Sequence, residues 1–340
     1  MSLLLRLLRS KWSPPAKTTS TFNGKTVVIT GSNTGLGFQA ARTFLELSAS
    51  HVVLAVRNTS KGDIARKQLE AQTGRDGAIS VLELDMNNFT SVKSFAGRVS
   101  RQFKSIDIVI LNAGLHNREY VTSPEGWEET LQVNTLSTVL LALLLLPKLR
   151  SARLEESASL PHLVLVSSGL HTGVARSSLP SPPHNILSAL DTPPEPAVAF
   201  NGGRQYAVSK LFLMYAVKSL ASLATSPSGE PQIIVTSCCP GFCVSELGRQ
   251  YSSWFEGWAK WAFYGLFARS TEDGARTLVC ASTLGEEAQG GYLTNGEIQT
   301  PGEMVVSHEG KEIQKQVWKE IVDVLKAKVP EVENLAVAAQ

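Results

Sequence analysis

The chain has 340 residues, 43% of them hydrophobic and 18% charged, with a formal net charge of +2. That length accommodates one large α/β domain or two small ones around a sizeable core, and so small a net charge supplies no long-range field of the kind that draws a protein to nucleic acid. Cys238, Cys239 and Cys243 crowd one segment and Cys280 stands apart, which reads as reduced thiols of a cytoplasmic protein and not as a disulfide framework. The six histidines are scattered without zinc-ligand spacing, so no metal site is expected.

Residues 1–20 form an N-terminal arm that begins Leu3-Leu4-Leu5-Arg6-Leu7-Leu8-Arg9 and reaches Lys11-Trp12 before Pro14-Pro15. Its apolar run is broken by arginine and falls short of the roughly 20 residues that span a bilayer, and no small-residue cleavage site follows. Leucines mixed with cations and a tryptophan suit a short amphipathic helix in a membrane interface. They suit equally an arm packed on the protein's own surface.

Val27-Val28-Ile29 is a β-branched run that enters Thr30-Gly31-Ser32-Asn33-Thr34-Gly35-Leu36-Gly37, and the chain leaves with apolar residues at helical spacing from Phe38 to Leu45. A strand, a glycine turn and a helix start place free amides and the positive end of the helix dipole at one point, a cradle for a pyrophosphate. His51–Val56 reads as a second buried strand that ends at Arg57, with Lys61 nearby and no Asp or Glu between His51 and Ser60. A carboxylate at that strand end would accept from a free ribose 2′-hydroxyl, whereas a cation suits a 2′-phosphate, so NADP(H) is expected over NAD(H).

A helix over 61–73, a strand over 79–84 closed by Asp85-Met86, a helix over 91–103 and a strand over 106–111 running into Asn112-Ala113-Gly114 continue the alternation. Crossovers too long for hairpins call for a parallel, doubly wound α/β sheet in a single domain over 21–329. Gly31, Arg57, Asp85 and Asn112 would then share the carboxyl edge where such sheets bind ligands. Residues 125–149 read as a long helical region containing Asn134, whose apolar stretch 139–146 suits a core or subunit-packing helix.

A fifth strand over 161–166 ends in Ser167-Ser168, and a Pro-rich insertion, 171–204, follows as a candidate wall of the active site. Tyr206 opens the next helix, with Lys210 one turn on along the same face. A phenol titrates near 10, and a neighbouring ammonium would favour its ionised form and bring it closer to the working pH. The Ser168 hydroxyl would bond the same substrate oxygen and hold a carbonyl in place.

Taken in order, Thr30-Gly31-X3-Gly35-X-Gly37, Asn112-Ala113-Gly114, Asn134, Ser168, Tyr206-X3-Lys210 and Pro240-Gly241 closely resemble the short-chain dehydrogenase/reductase family, over roughly residues 22–325. Within it, TGSNTGLG, the LAVRN of the second strand and the long insertion look most like retinol-dehydrogenase-like and related fungal reductases. The resemblance implies a Rossmann fold, a nicotinamide cofactor and a role for each matching residue. Tyr206 would be the proton donor, Lys210 would lower its pKa and hold the nicotinamide ribose, Ser168 would bind the substrate oxygen, and Asn134 would anchor a water leading to Lys210. Asp85 and Met86 would meet the adenine, Asn112, Ala113 and Gly114 would brace the cofactor edge, and Pro240, Gly241, Val244 and Ser245 would approach the nicotinamide or pyrophosphate. The family's catalytic serine is usually the second of such a pair, which selects Ser168 over Ser167. Two features depart from the family pattern: the residues after Asn134 lack its frequent histidine or glycine, and Ser168 lies much further from Tyr206 than in simple members.

Residues 242–270 carry Trp254, Trp258 and Trp261 with few charges, a segment suited to roofing an apolar pocket, touching a membrane or packing on a second subunit. Thr271 reads as the N-cap of a helix through Ala281, Gly291–Thr294 as the last strand, 308–325 as a final amphipathic helix and 330–340 as a loose tail. The expected activity is NADP(H)-dependent reduction of a ketone or aldehyde of a bulky apolar substrate, such as a fungal secondary metabolite, or the reverse oxidation. A retinoid, lipid or steroid dehydrogenase and a non-redox sensor or cyclase of the same fold are the alternatives. Family habit implies a dimer or tetramer.

Overall fold

The protein was analysed as a computed structural model, which describes residues 11–153, 159–180, 185–193, 199–244 and 265–337. Strands β1 (Thr26–Thr30), β2 (His51–Val56), β3 (Ile79–Glu83), β4 (Ile108–Leu111), β5 (His162–Val166), β6 (Ile234–Cys239), β7 (Tyr292–Thr294) and β8 (Glu297–Ile298) form one sheet in the order β3-β2-β1-β4-β5-β6-β7-β8. Every pairing is parallel except the closing β7–β8 hairpin. The order reverses beside β1, and ligands of doubly wound sheets bind at that switch point.

The central strands are buried on both faces, as parallel sheets require. Helices α1 (Gly35–Glu46) and α2 (Thr59–Thr73) cover one face, and α3 (Phe89–Gln102) and α4 (Thr138–Arg153) the other. Helix α4 is entered through a single turn, Glu129–Leu131, and a π-helical stretch, Gln132–Ser137, so residues 125–128 are not helical as the sequence suggests. By length and composition Glu129–Ala152 would span a membrane, but 89% of its apolar window is buried inside this fold. It is the core helix of the domain.

Within the insertion lie two 3-10 turns and the short helix α5 (Ile186–Leu190). Buried Glu320, on the C-terminal helix α9 (His308–Lys328), accepts hydrogen bonds from Ile186 N and Leu187 N at 3.1 and 2.9 Å and so caps α5. At the other end Asp191 Oδ1 accepts from Glu128 N at 2.5 Å. The Pro-rich segment is thereby bolted to the domain at both ends of α5.

Helix α6 spans Gly202–Leu223, with Asn201 as its cap through a 2.9 Å bond from Arg204 N. Tyr206 therefore sits in the second turn and does not open the helix, contrary to what the sequence suggests. Helix α7 (Thr271–Ala281) is capped by Ser270, whose hydroxyl accepts from Asp273 N at 3.0 Å, and not by Thr271. Helix α8 (Glu303–Val306) precedes α9, and the expected loose tail instead begins as helix α10 (Val332–Val337), whose Val332 is fully buried. The arm is tethered across α7 and the β7–β8 turn: Ser13 O accepts from Arg269, Lys11 Nζ donates to Gly265 O, and Lys17 pairs with Glu272. The arm's leucines, Ser245, Trp254, Trp258, Trp261 and the end of the tail lie outside the described residues.

Candidate active site

The glycine turn is built by close approach. Gly31 and Gly35 have φ of +65° and +61°, in the left-handed region that glycine enters without a Cβ penalty. At Gly37 a Cβ would lie 2.6 Å from Gly31 O and 2.8 Å from Asn112 Nδ2, so only glycine lets α1 start this near β1 and β4. The Ser32 hydroxyl turns inward to Ile29 O at 2.9 Å, Leu36 packs against the core, and Asn33 and Thr34 sit at the rim. The Thr34 side chain makes no cap bond and the first turn of α1 has no acidic residue. Among the described residues no side chain caps the first turn of α1, which fits a pyrophosphate there.

Asn112 ties that edge together. Its Nδ2 donates to Thr30 O at 2.9 Å and Gly31 O at 3.2 Å, while Asn112 N and Ala113 N both donate to Thr30 Oγ1 at 2.9 Å. Arg57 is exposed at the end of β2, engaged by no ion pair among the described residues, and Lys61 is exposed in the first turn of α2, its backbone N bonded to the Asn58 cap. Asp85 is half-buried at the end of β3, where Oδ1 accepts from Asn87 N at 3.0 Å, and Met86 beside it is buried.

At the end of β5 Ser168 lies beside Tyr206, close enough for its hydroxyl to act on the phenol, and Lys210 Nζ donates to Val166 O at 2.9 Å. Ser167 is buried, and its hydroxyl has no partner among the described residues. The long insertion therefore loops out and returns with serine and tyrosine in contact. His116, at the end of the Asn112–Gly114 loop, stacks on the Tyr206 ring at 4.7 Å.

The electrostatics depart from the sequence expectation. Burial dominates at Tyr206 and pushes its phenol up, with the Ser168 hydroxyl opposing and Cys239 adding to the rise. Burial also lowers the Lys210 ammonium, to about 8, against the raising effect of Cys239 and Cys238. Lys210 does not bring the phenol down here because Nζ lies 5.8 Å from the ring centroid and its hydrogen bond goes to Val166. The protonated phenol, the form that donates, is the favoured one.

Asn134 lies in the π-helical stretch and is fully buried. Its Oδ1 accepts from Leu115 N at 2.9 Å, and Nδ2 donates to Leu115 O at 2.9 Å and Ser209 Oγ at 3.0 Å. Both amide hydrogens are thus spent on holding the β4 loop against α6. A Cβ at Gly114 would lie 3.0 Å from Asn134 Oδ1 and 3.6 Å from Lys210 Nζ, so this loop passes directly over the lysine.

Sequence reasoning missed Arg269, which is 1% exposed. It donates to Pro240 O at 3.1 Å and Asn295 Oδ1 at 2.7 Å, and its main chain pairs with Phe242 and Val244, so it clamps the Pro240-Gly241 loop to the β7–β8 turn. Val244 is 48% exposed at that loop's far end. A lone arginine in a loop carries no local signal for this role, because its partners come from remote parts of the chain.

The family model for short chain dehydrogenases matches residues 25–170. The short-chain dehydrogenase/reductase ffsI of Aspergillus flavipes is 40% identical over 323 residues, covering 95% of this chain and 92% of that protein. The short-chain dehydrogenase/reductase phmF of Phaeosphaeria nodorum is 39% identical over 333 residues, covering 97% and 95%. Among solved structures, an uncharacterized protein from Mycobacterium paratuberculosis superimposes with a TM-score of 0.63 at 22% identity over 92% of this chain and 98% of that one, a likeness of fold.

Proposed function

The chain belongs to the short-chain dehydrogenase/reductase family, and from that premise we propose that it is an NADP(H)-dependent reductase of bulky apolar ketones or aldehydes, in the manner of fungal secondary metabolism. The contact of Ser168 with Tyr206 beside Lys210, on the same sheet edge as the glycine turn, carries the reading. Bound at that edge, the dinucleotide supplies the hydride. Tyr206 passes its phenolic proton to the substrate oxygen, and Ser168 donates a hydrogen bond to the same oxygen and fixes the carbonyl plane. Lys210 is placed to hold the nicotinamide ribose, and Asn134 holds the loop above it, a positioning role that leaves Oδ1 a second lone pair for water. Arg57, with Lys61 beside it, is the cation for a 2′-phosphate. Thr30, Gly31, Asn112, Ala113 and Gly114 shape the cofactor edge, Asp85 and Met86 the adenine end, and Pro240, Gly241, Val244 and Ser245 the nicotinamide end.

The insertion and the aromatic residues of 242–270 form the substrate side of this reading. Under it the enzyme is cytoplasmic, and the arm, whose Trp12 is 76% exposed, is the part that meets a membrane surface. The test is NADPH and NADH oxidation by the purified protein with aromatic, terpenoid and polyketide carbonyls beside small hydrophilic ones. NADPH-linked turnover of the large apolar carbonyls is expected. Turnover confined to small hydrophilic carbonyls, or to NADH, overturns the reading.

A further inference from the structure

His171 is fully buried in the 3-10 turn Gly169–Gly173 that follows the serine. Its Nδ1 lies 2.6 Å from Ser168 O, and its Nε2 lies 3.3 Å from Gly302 N. A carbonyl oxygen only accepts and a backbone N–H only donates, so the two contacts together fix the ring: Nδ1 carries the hydrogen and Nε2 the lone pair. Both bonds exist together only in the neutral imidazole, because the imidazolium has a hydrogen on each nitrogen and would confront the Gly302 N–H with another donor.

The surroundings make this contact specific. The ring packs edge-on against Tyr292 at 4.9 Å, the Tyr292 hydroxyl and Cys239 Sγ both lie beside Gly169, and Cys239 Sγ accepts from Gly169 N at 3.2 Å. A Cβ on Gly302 would lie 2.7 Å from Thr172 Cα, so the turn and the segment before α8 meet at backbone distance. The serine's own peptide is therefore held from one side by Cys239 and from the other by His171. The Ser168 hydroxyl accepts from Leu170 N at 3.3 Å, which leaves its one hydrogen to donate to a substrate oxygen.

We propose that His171 is a positioning residue for Ser168, holding the serine peptide against Gly302 only as the neutral Nδ1–H tautomer. The proposal rests on the reductase reading for its effect on turnover, but its geometry does not. The groups presented by the elements packed on the turn are Cys239, Tyr292, Tyr206, Lys210 and Tyr215, with the exposed Glu303 next to Gly302. Burial raises all three phenols and leaves Lys210 at about 8, above the range in which a histidine titrates. Burial lowers the His171 imidazole itself, partly offset by its bond to Ser168. His116, on the far side of Tyr206, is the other histidine at the site, also lowered by burial.

Two measurements test this. Long-range 1H–15N spectra of histidine-labelled protein, with the His171 signal assigned by its loss in His171→Gln, are expected to show a hydrogen on Nδ1, none on Nε2 at about pH 7.5, and a midpoint below the ordinary value of 6.5. An Nε2–H tautomer or an imidazolium at that pH overturns the proposal without any variant having to fold. In the second, kcat is followed from about pH 8 to pH 5. We expect His171→Phe, which keeps the ring against Tyr292 without either bond, to lose about 100-fold in kcat with NADPH affinity within about two-fold of wild type. His171→Gln, which does not titrate, is expected to lose about 10-fold at neutral pH and to lack the part of the acid limb that belongs to His171. Wild-type kcat and an unchanged pH profile in both variants overturn the proposal. Absence of NADPH-linked turnover in the wild type would refute the reductase reading instead and leave the spectroscopic arm to decide this one.

Discussion

Lys210 donates from Nζ to the carbonyl of Val166 at 2.9 Å. One end of that bond is on α6, the helix of Tyr206, and the other on the last residue of β5, two positions before Ser168. It fixes the tyrosine helix to the serine strand at the point where the insertion between them would otherwise leave their spacing open. With Asn134 bonding both Leu115 and Ser209, four segments, the loop after β4, the π-helical stretch, β5 and α6, are locked around one volume. The site is preorganised by the protein's own polar groups, and its electrostatics follow from that burial more than from the tyrosine–lysine spacing.

Tyr206→Phe removes the phenol proposed as the proton donor and keeps the ring that His116 stacks on. Positioned proton transfer is worth about 10²- to 10⁴-fold in rate, so kcat for carbonyl reduction should fall by that much. NADPH binding, read by nicotinamide fluorescence, should stay within about two-fold. Retained turnover would remove the tyrosine from the mechanism.

Arg57 stands exposed at the end of β2 with no carboxylate nearby on its strand or turn. Arg57→Ala should raise the KM for NADPH about 10- to 100-fold, the scale of one or two charge-assisted bonds to a phosphate, and leave the KM for NADH nearly unchanged. Equal weakening of both cofactors would assign the arginine a different role.

Gly37→Ala puts a methyl 2.6 Å from Gly31 O, backbone against backbone, with no flexible side chain to give way. Overpacking of this kind costs roughly 1–3 kcal/mol, read as a lower denaturation midpoint. The displaced turn should also lose NADPH binding. Gly35→Ala meets no atom within 4 Å, so it reports the cost of the positive φ alone.

How far the sequence speaks depends on whether the signal is local. The glycine turn and the β-branched strands are local patterns and were legible, as was the α/β alternation that brings Gly31, Arg57, Asp85 and Asn112 to one sheet edge. β6 was not, because Thr236, Ser237, Cys238 and Cys239 hide a fully buried strand under a polar-looking composition. The π-helical stretch around Asn134 is made by packing against α6, and no residue pattern marks it. Caps shifted by one position at α7, where Ser270 and Thr271 are both competent and only backbone geometry selects. The Tyr206 phenol was misjudged because spacing reveals a neighbouring charge but not the desolvation that outweighs it here. Arg269 and His171 were invisible, since each has a partner far along the chain, Pro240 and Asn295 for the arginine and Gly302 for the histidine.

Glu320 caps the insertion helix from α9 and is 8% exposed, with Gln316 Nε2 as a further donor at 2.8 Å. Glu320→Ala would leave the Ile186 and Leu187 amides buried without an acceptor, at roughly 1–3 kcal/mol each. The expected result is faster hydrogen exchange and proteolysis confined to residues 185–190, with a smaller loss of global stability. Unchanged exchange there would show that α5 is held by its apolar contacts alone.

Buried histidines set the acid limit of the fold. His162, at the start of β5, is 7% exposed, its Nδ1 has no partner among the described residues, and burial with the Lys25 charge lowers its pKa from 6.5 to about 4. Because the folded value lies below the unfolded one, the unfolded chain binds the proton first as pH falls, so stability rises with pH across this range. The contribution is complete above about pH 6.5, is lost progressively between 6.5 and 4, and changes no further below that. A gap of this size corresponds to roughly 3 kcal/mol. His51 and His171, also lowered by burial, add to the slope in the same direction. Urea unfolding of wild type at about pH 7.5, 6 and 5 should therefore show falling midpoints, and His162→Leu should flatten that fall. If His162→Leu keeps the full wild-type slope, the acid sensitivity belongs to other groups and His162 is not held neutral.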